Sequence, residues 1–215
     1  PPSDGWPVVL LFQGSFLKAE AAWSAESDDI LGTWNRTMTV VKLLEAGYAV
    51  LTPETHLQGS TFWDTNIAPY NQAWELAPDH RLMLAIINGL ASDVFGAVDD
   101  GCLYTAGFSS GGYMASRVAL TYAGVQAAAV HSASYMTCAA STCFVPALPP
   151  THPPTLFLHG TADIVVPVWT SQVYADKLAE LDIPMKQVLE DGLGHVWLSN
   201  APNQIVSWFQ AHPGG

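Results

Sequence analysis

Six short runs rich in Val, Leu and aromatic residues recur along the chain, at 8–12, 48–52, 102–107, 125–130, 155–159 and 185–190. None alternates strictly between polar and apolar residues, which is the pattern of strands covered on both faces. Helical periodicity fills the intervals, at 33–46, 76–91, 110–122, 168–181 and 203–211. Strand and helix therefore take turns from one end to the other. Because a crossover between parallel strands is right-handed and must lay its helix on the sheet, this rhythm predicts an α/β fold. The expected architecture is a mostly parallel sheet of about six or more strands with helices on both faces.

A chain of 215 residues can bury one sizeable core, so residues 1–215 are read as a single domain. Hydrophobic residues make up 49% and charged residues 12%, but no apolar run reaches the length of a membrane span. Seven Lys and Arg against 19 Asp and Glu leave a net charge of −12, a poor match for phosphate backbones or anionic lipid. Nucleic acid and membrane surfaces are thus not expected as partners, and an uncharged substrate fits best. A monomer is expected. Pro1 without Met, followed by Pro2-Ser3-Asp4-Gly5, reads as a secreted chain whose signal peptide has been removed.

The run Leu103-Tyr104-Thr105-Ala106-Gly107-Phe108-Ser109-Ser110-Gly111-Gly112 sets Gly-x-Ser-x-Gly between a predicted strand and a predicted helix. Gly107 and Gly111 supply the room that a strained strand-to-helix turn needs, so that the Ser109 hydroxyl projects above the sheet. Ser110 then opens the helix, where its N–H can donate to a developing oxyanion with the helix dipole behind it. A hydroxyl is a weak nucleophile until a base takes its proton, and that base must be oriented by an acid. After such a turn the partners follow in the order acid, then histidine. Asp163 stands just beyond the 155–159 strand and His195 beyond the 185–190 strand, so both reach the end of the sheet that holds Ser109.

Each assignment has a competitor. Asp191 lies in the same loop as His195, only four residues before it, whereas Asp163 has the expected order and strand. His131 and His159 close predicted strands but do not follow the acid, and a histidine there usually hydrogen-bonds a loop. His56, His80, His152 and His212 show no metal-binding spacing, so neither metal nor cofactor is expected. Asp99 and Asp100 precede a strand start at the opposite end of the sheet and read as a solvated turn. The second oxyanion donor is expected in the loop after the first strand, Gln13-Gly14-Ser15-Phe16, at the Ser15 N–H.

Two connections exceed ordinary loop lengths. Residues 54–75 carry Phe62, Trp63, Tyr70 and Trp74; residues 132–154 carry Tyr135, Cys138, Cys143 and five prolines. Both emerge at the carboxyl ends of strands, where open parallel sheets place their sites. Their aromatics either hold an apolar substrate or pack the loops down. Phe16, Tyr135, Trp169 and Trp197 are the candidates for lining a cleft, with core packing the alternative for each tryptophan. Cys138 and Cys143 stand close together in a loop of Ala, Ser and Thr, which suits a disulfide in an oxidising compartment, with free thiols the alternative. Cys102, at a strand start, reads as a small core residue. Asn35-Arg36-Thr37 is a glycosylation sequon, relevant only in a eukaryotic secretory host.

From about Val8 to Phe209 the chain resembles secreted polyester depolymerases of the α/β-hydrolase superfamily, including polyhydroxyalkanoate depolymerases and related feruloyl esterases. The resemblance rests on Leu103–Arg117, His159–Pro167 and Gly192–Trp197. The flanking Gly111-Gly112-Tyr113-Met114 and Ser132–Cys138 look most like depolymerases of medium-chain-length polyhydroxyalkanoates. This likeness implies cofactor-free hydrolysis of polymeric hydroxyacyl esters outside the cell, through an acyl-enzyme on Ser109. Many relatives carry His-Gly in the oxyanion loop where this chain has Gln13-Gly14, a departure that puts the second donor in doubt. No large inserted lid is expected, and an open cleft would admit a polymer. Three rivals remain: a small-ester carboxylesterase or feruloyl esterase with a closed acyl pocket, a peptidase, and a binding module that kept the fold without turnover.

Overall fold

The computed structural model describes residues 1–24, 30–55, 62–139 and 142–214. Strands β1 (Trp6–Phe12), β2 (Ala49–Leu51), β3 (Val98–Phe108), β4 (Val125–His131), β7 (Thr155–Gly160) and β8 (Met185–Glu190) form one sheet in the order β2-β1-β3-β4-β7-β8. All of its neighbouring strands pair in parallel. Helices α1 (Thr33–Glu45), α2 (Pro78–Leu90), α3 (Ser110–Thr121) and α4 (Val168–Ala179) lie in crossovers between strands, and α5 (Ala201–Ala211) follows the last strand. The strand order turns back on itself beside β1 and β3, so loops from both halves converge over the carboxyl ends of the central strands.

Alternate residues of the central strands face opposite helix layers, which is why their sequences are apolar throughout. On one face, Val9 and Leu11 of β1 and Tyr104, Ala106 and Phe108 of β3 pack with Val40 and Leu43 of α1 and Ile205 and Phe209 of α5. On the other, Val8, Leu10 and Phe12 meet Met83 and Leu90 of α2 and Met114 and Val118 of α3. Phe157 of β7, Tyr174 and Leu178 of α4 and Tyr113 of α3 continue that second layer.

Two differences from the sequence reading have local causes. Strand β3 begins at Val98, so Asp99 and Asp100 lie within it, where the register to β1 shifts between Pro7 and Val8. Cys138–Ala139 (β5) and Thr142–Cys143 (β6) form a small antiparallel pair that periodicity did not reveal, because two-residue strands have no period. Cys138 and Cys143 face each other in that pair and form a disulfide, while Cys102 is free and half-buried. The sequon lies inside α1, where Arg36 and Thr37 are buried and Asn35 Nδ2 donates to the Trp197 carbonyl at 3.3 Å. Among the described residues no helix is long and apolar enough to cross a membrane.

Candidate active site

The turn from β3 to α3 holds Ser109 at φ 56° and ψ −124°, a conformation that L residues avoid unless their surroundings enforce it. Two glycines make it possible. A Cβ on Gly107 would come within 2.1 Å of the Gly111 carbonyl oxygen, and one on Gly111 within 2.3 Å of the Phe12 carbonyl oxygen. The Ser109 N–H donates to the His131 carbonyl at 2.9 Å, fixing the turn to β4. Its side chain is thereby turned away from the helix and toward the loops beyond β7 and β8.

Those loops bring the expected partners. His195 Nδ1 lies 2.7 Å from Asp163 Oδ2, and Nε2 lies 2.9 Å from Ser109 Oγ. An ionised carboxylate can only accept, so Nδ1 carries the proton and Nε2 is left to accept from the serine hydroxyl. The Val165 and Val166 N–H groups donate to Asp163 Oδ1, each at 2.9 Å, which orients the second oxygen toward His195. Burial pushes the Asp163 carboxyl up, but hydrogen bonding from His159, His195 and the Val166 N–H outweighs it, and the net shift is below the usual carboxylate range. Asp191 is elsewhere: its Oδ1 accepts from Thr161 Oγ1 at 3.0 Å, tying the β7 and β8 loops together near the surface.

Two further histidines surround this chain, and both bond to loops as expected. His159 Nε2 donates to the Val166 carbonyl at 2.9 Å and lies 3.4 Å from Asp163 Oδ2, a contact the sequence reading missed. The signal was present as the four-residue spacing from His159 to Asp163. His131 Nε2 accepts from the Leu198 N–H at 2.9 Å, so its Nδ1 carries the proton and faces Ser132 Oγ at 3.1 Å. Full burial, then the neighbouring His159 and His195, hold its pKa well below the ordinary imidazole value.

The oxyanion loop abuts the turn: a Cβ on Gly14 would lie 3.4 Å from Ser109 Cβ. Leu17 N–H donates to the Gly14 carbonyl at 3.2 Å and Phe16 takes φ 64°, so Ser15 and Phe16 are the central pair of a tight turn. In such a turn the first central N–H, that of Ser15, takes no part in the closing hydrogen bond. Gln13 does not line a cleft. It is buried, with Nε2 donating to Glu54 Oε1 at 2.7 Å, while Glu54 Oε2 accepts from the Ala19 N–H and the Gln13 carbonyl accepts from Trp63 Nε1. Trp63, one of the loop aromatics, thus supports this loop, and so does Glu54, which sequence reasoning did not single out because its partner lies 41 residues away.

The four cleft candidates separate. Phe16 is 73% exposed and Trp169, in the first turn of α4, is 45% exposed. Tyr135 lines a separate cavity with Arg117. Trp197 is corrected to the core: it is 3% exposed and stacks on His131 at 4.9 Å, with Phe108 at 5.6 Å. Trp63 and Trp74 are likewise buried, the loop-packing alternative. His56 lies outside the described residues. No group of described His, Cys, Asp and Glu side chains has metal-binding geometry.

The chain is 41% identical over 215 residues to the poly(3-hydroxyoctanoate) depolymerase of Pseudomonas fluorescens, covering 99% of this chain and 76% of that protein. The chain belongs to that protein's family. It is an ester hydrolase of the α/β-hydrolase fold, a class in which a hydroxyl, an imidazole and a carboxylate so linked perform acyl transfer. No protein-family model matches it. Solved structures agree on the fold: a truncated carbohydrate esterase from gut microbiota (TM-score 0.69, 16% identity, 98% of this chain and 87% of that one) superposes on this family member. So does esterase PE8 (TM-score 0.63, 18% identity, 97% and 93%).

Proposed function

We propose that Ser109, His195 and Asp163 are the catalytic triad of a secreted hydrolase that cleaves the ester bonds of an aliphatic polyester built from hydroxyacyl units. The observation that carries the reading is the unbroken hydrogen-bond chain from Ser109 Oγ through His195 to Asp163, set on a strained turn. In this mechanism Ser109 Oγ attacks the ester carbonyl as His195 Nε2 takes its proton. The oxyanion is held by the Ser110 N–H at the α3 N-terminus and by the Ser15 N–H. Collapse expels the alcohol, which receives the proton from His195. Water, activated by the same imidazole, then releases the acid and regenerates Ser109. Asp163 keeps the histidine in the right tautomer throughout.

Support for a polymeric substrate comes from the rim. Phe16 on the Gln13–Phe16 loop, Ile164 (93% exposed) next to Asp163 and Trp169 at the start of α4 offer exposed apolar surface. An insoluble aliphatic chain can lie on such a rim, and each methylene it buries contributes about 0.8 kcal/mol. The relative named for poly(3-hydroxyoctanoate) favours medium-length side chains as the units. The Cys138–Cys143 disulfide supports a location outside the cytoplasm.

The test is clearing of a poly(3-hydroxyoctanoate) emulsion, run beside short and long p-nitrophenyl esters. Wild-type protein should clear the emulsion and prefer medium over very short acyl chains. Ser109→Ala should lose both activities by several orders of magnitude while keeping its melting temperature. Rapid turnover of short esters with no clearing of any polyester would leave a small-ester carboxylesterase instead.

A further inference from the structure

A cavity of about 750 Å³ opens between the 62–77 connection and the β5–β6 hairpin, and no residue of the Ser109–His195–Asp163 chain lines it. Its walls include Gln72, Tyr135, Met136 and Phe144, with Arg117 of α3 as the charged group. In a protein carrying 19 Asp and Glu against seven Lys and Arg, the described residues lining this cavity include one guanidinium and no carboxylate, while Glu75 acts on that guanidinium from outside the lining.

The guanidinium is held in place but not used up. Nε donates to Thr65 Oγ1 at 3.2 Å and Nη2 to the Asn71 carbonyl at 2.8 Å, with the Thr65 and Tyr70 carbonyls close by. The plane sits over the Trp74 ring at 5.2 Å. Among the described residues these bonds engage Nε and Nη2 and not Nη1, and a guanidinium carries five N–H donors in all. Aromatic side chains share the lining: the Tyr135 ring packs edge-on against Tyr174 at 5.2 Å, and Phe144 is exposed. A positioned cation and aromatic rings lining the same cavity match a carboxylate with an aliphatic tail.

We propose that this cavity binds the free carboxylate end of an aliphatic acid chain, with Arg117 as the anion partner and Tyr135 and Phe144 along the tail. The inference rests on the polyester reading for the origin of that acid. Arg117 follows Ser110 on α3 by seven residues, which is about 10 Å along the helix axis. In a hydroxyacyl polyester the alcohol side of any ester leads to the carboxyl terminus. A chain whose acid end rests at Arg117 therefore presents to Ser109 an ester whose leaving alcohol carries that carboxylate. His195 protonates the departing oxygen, and the acid-terminated fragment remains in the cavity until it dissociates.

The test uses the whole protein labelled with ¹³C at its methionine methyls, titrated with sodium octanoate and, as a neutral control, 1-octanol. Met136→Leu assigns the reporter in the cavity wall. Octanoate should shift the Met136 signal saturably, and 1-octanol should not match it. Gln72→Glu adds a carboxylate of nearly the same shape at an exposed wall position and should weaken octanoate binding about fivefold or more. It should leave hydrolysis of a short neutral ester unchanged. Equal binding of 1-octanol, an unchanged affinity in Gln72→Glu, or octanoate shifts that avoid Met136 would overturn the proposal. Clearing of polymer with methyl-capped acid ends separates the two sources: slower clearing assigns the site to the polymer terminus, and unchanged clearing to the released acid. Octanoate binding requires no turnover, so this result is read independently of whether the emulsion clears.

Discussion

At the scale of single residues, the geometry distinguishes groups that the sequence offered as alternatives. Asp163 and Asp191 both precede His195, yet one carboxylate touches the imidazole and the other bonds Thr161. Asp163→Asn should lower kcat by about 10⁴ by favouring the wrong histidine tautomer, whereas Asp191→Asn should change kcat by no more than a small factor. Steady-state kinetics on a soluble ester decides it, and the opposite pattern would transfer the role to Asp191. Trp197 illustrates a different ambiguity. Its place two residues after His195 fitted a cleft wall, but the ring fills the space between Phe108 and His131 beneath the base. Trp197→Ala should therefore destabilise by about 3–5 kcal/mol in denaturant unfolding, an outcome expected of a core ring and not of a surface one. A nearly unchanged midpoint would return Trp197 to the cleft.

At the scale of elements, the site depends on how closely α3 can approach β1. Gly111 sits where any side chain would strike the Phe12 and Gln13 carbonyls, at 2.3 and 2.4 Å. Gly111→Ala must push α3 away from the end of β1, moving the Ser110 N–H and the Gly14–Phe16 turn apart. We expect a fall in melting temperature together with a loss of kcat that exceeds any change in KM, because the proposed oxyanion donors, Ser110 and Ser15 N–H, would act mainly in the transition state. Equal stability and activity in that variant would mean that the turn has more room than the structure gives it. The same reasoning explains which elements were legible beforehand. The Gly107-Phe108-Ser109-Ser110-Gly111 turn could be read because steric demand selects glycine at fixed offsets. The β5–β6 pair could not, because a disulfide and a few backbone bonds hold it rather than a repeated apolar face.

At the scale of the whole molecule, two buried titratable groups give folding stability a defined pH dependence. The His131 pKa is depressed on folding, so the unfolded chain binds the proton more readily. Its contribution is present above the ordinary imidazole value of about 6.5 and is lost as pH falls from there toward the folded value. The Asp163 carboxyl is also depressed, so its contribution is present above about 4 and is lost as pH falls further through its folded value. Both terms have the same sign. Melting temperature should fall as pH drops below about 6.5 and fall again below about 4. His131→Gln should flatten the first limb, whatever its effect on absolute stability. An equally steep limb in that variant would assign the dependence to other groups.

The sequence by itself determined the alternation of strand and helix, the position of the strained serine turn, and the chain order of carboxylate and imidazole. These follow from local sterics and from the path of a parallel sheet, both of which act on neighbours in the chain. Tertiary structure alone decided that Trp197 is core and that Glu54 and Trp63 hold the Gln13-Gly14-Ser15-Phe16 loop. It also decided that Arg117 lines a cavity whose described lining holds no carboxylate. Each of these depends on which side chains meet across long sequence separations, and side-chain packing, not local propensity, fixes such meetings.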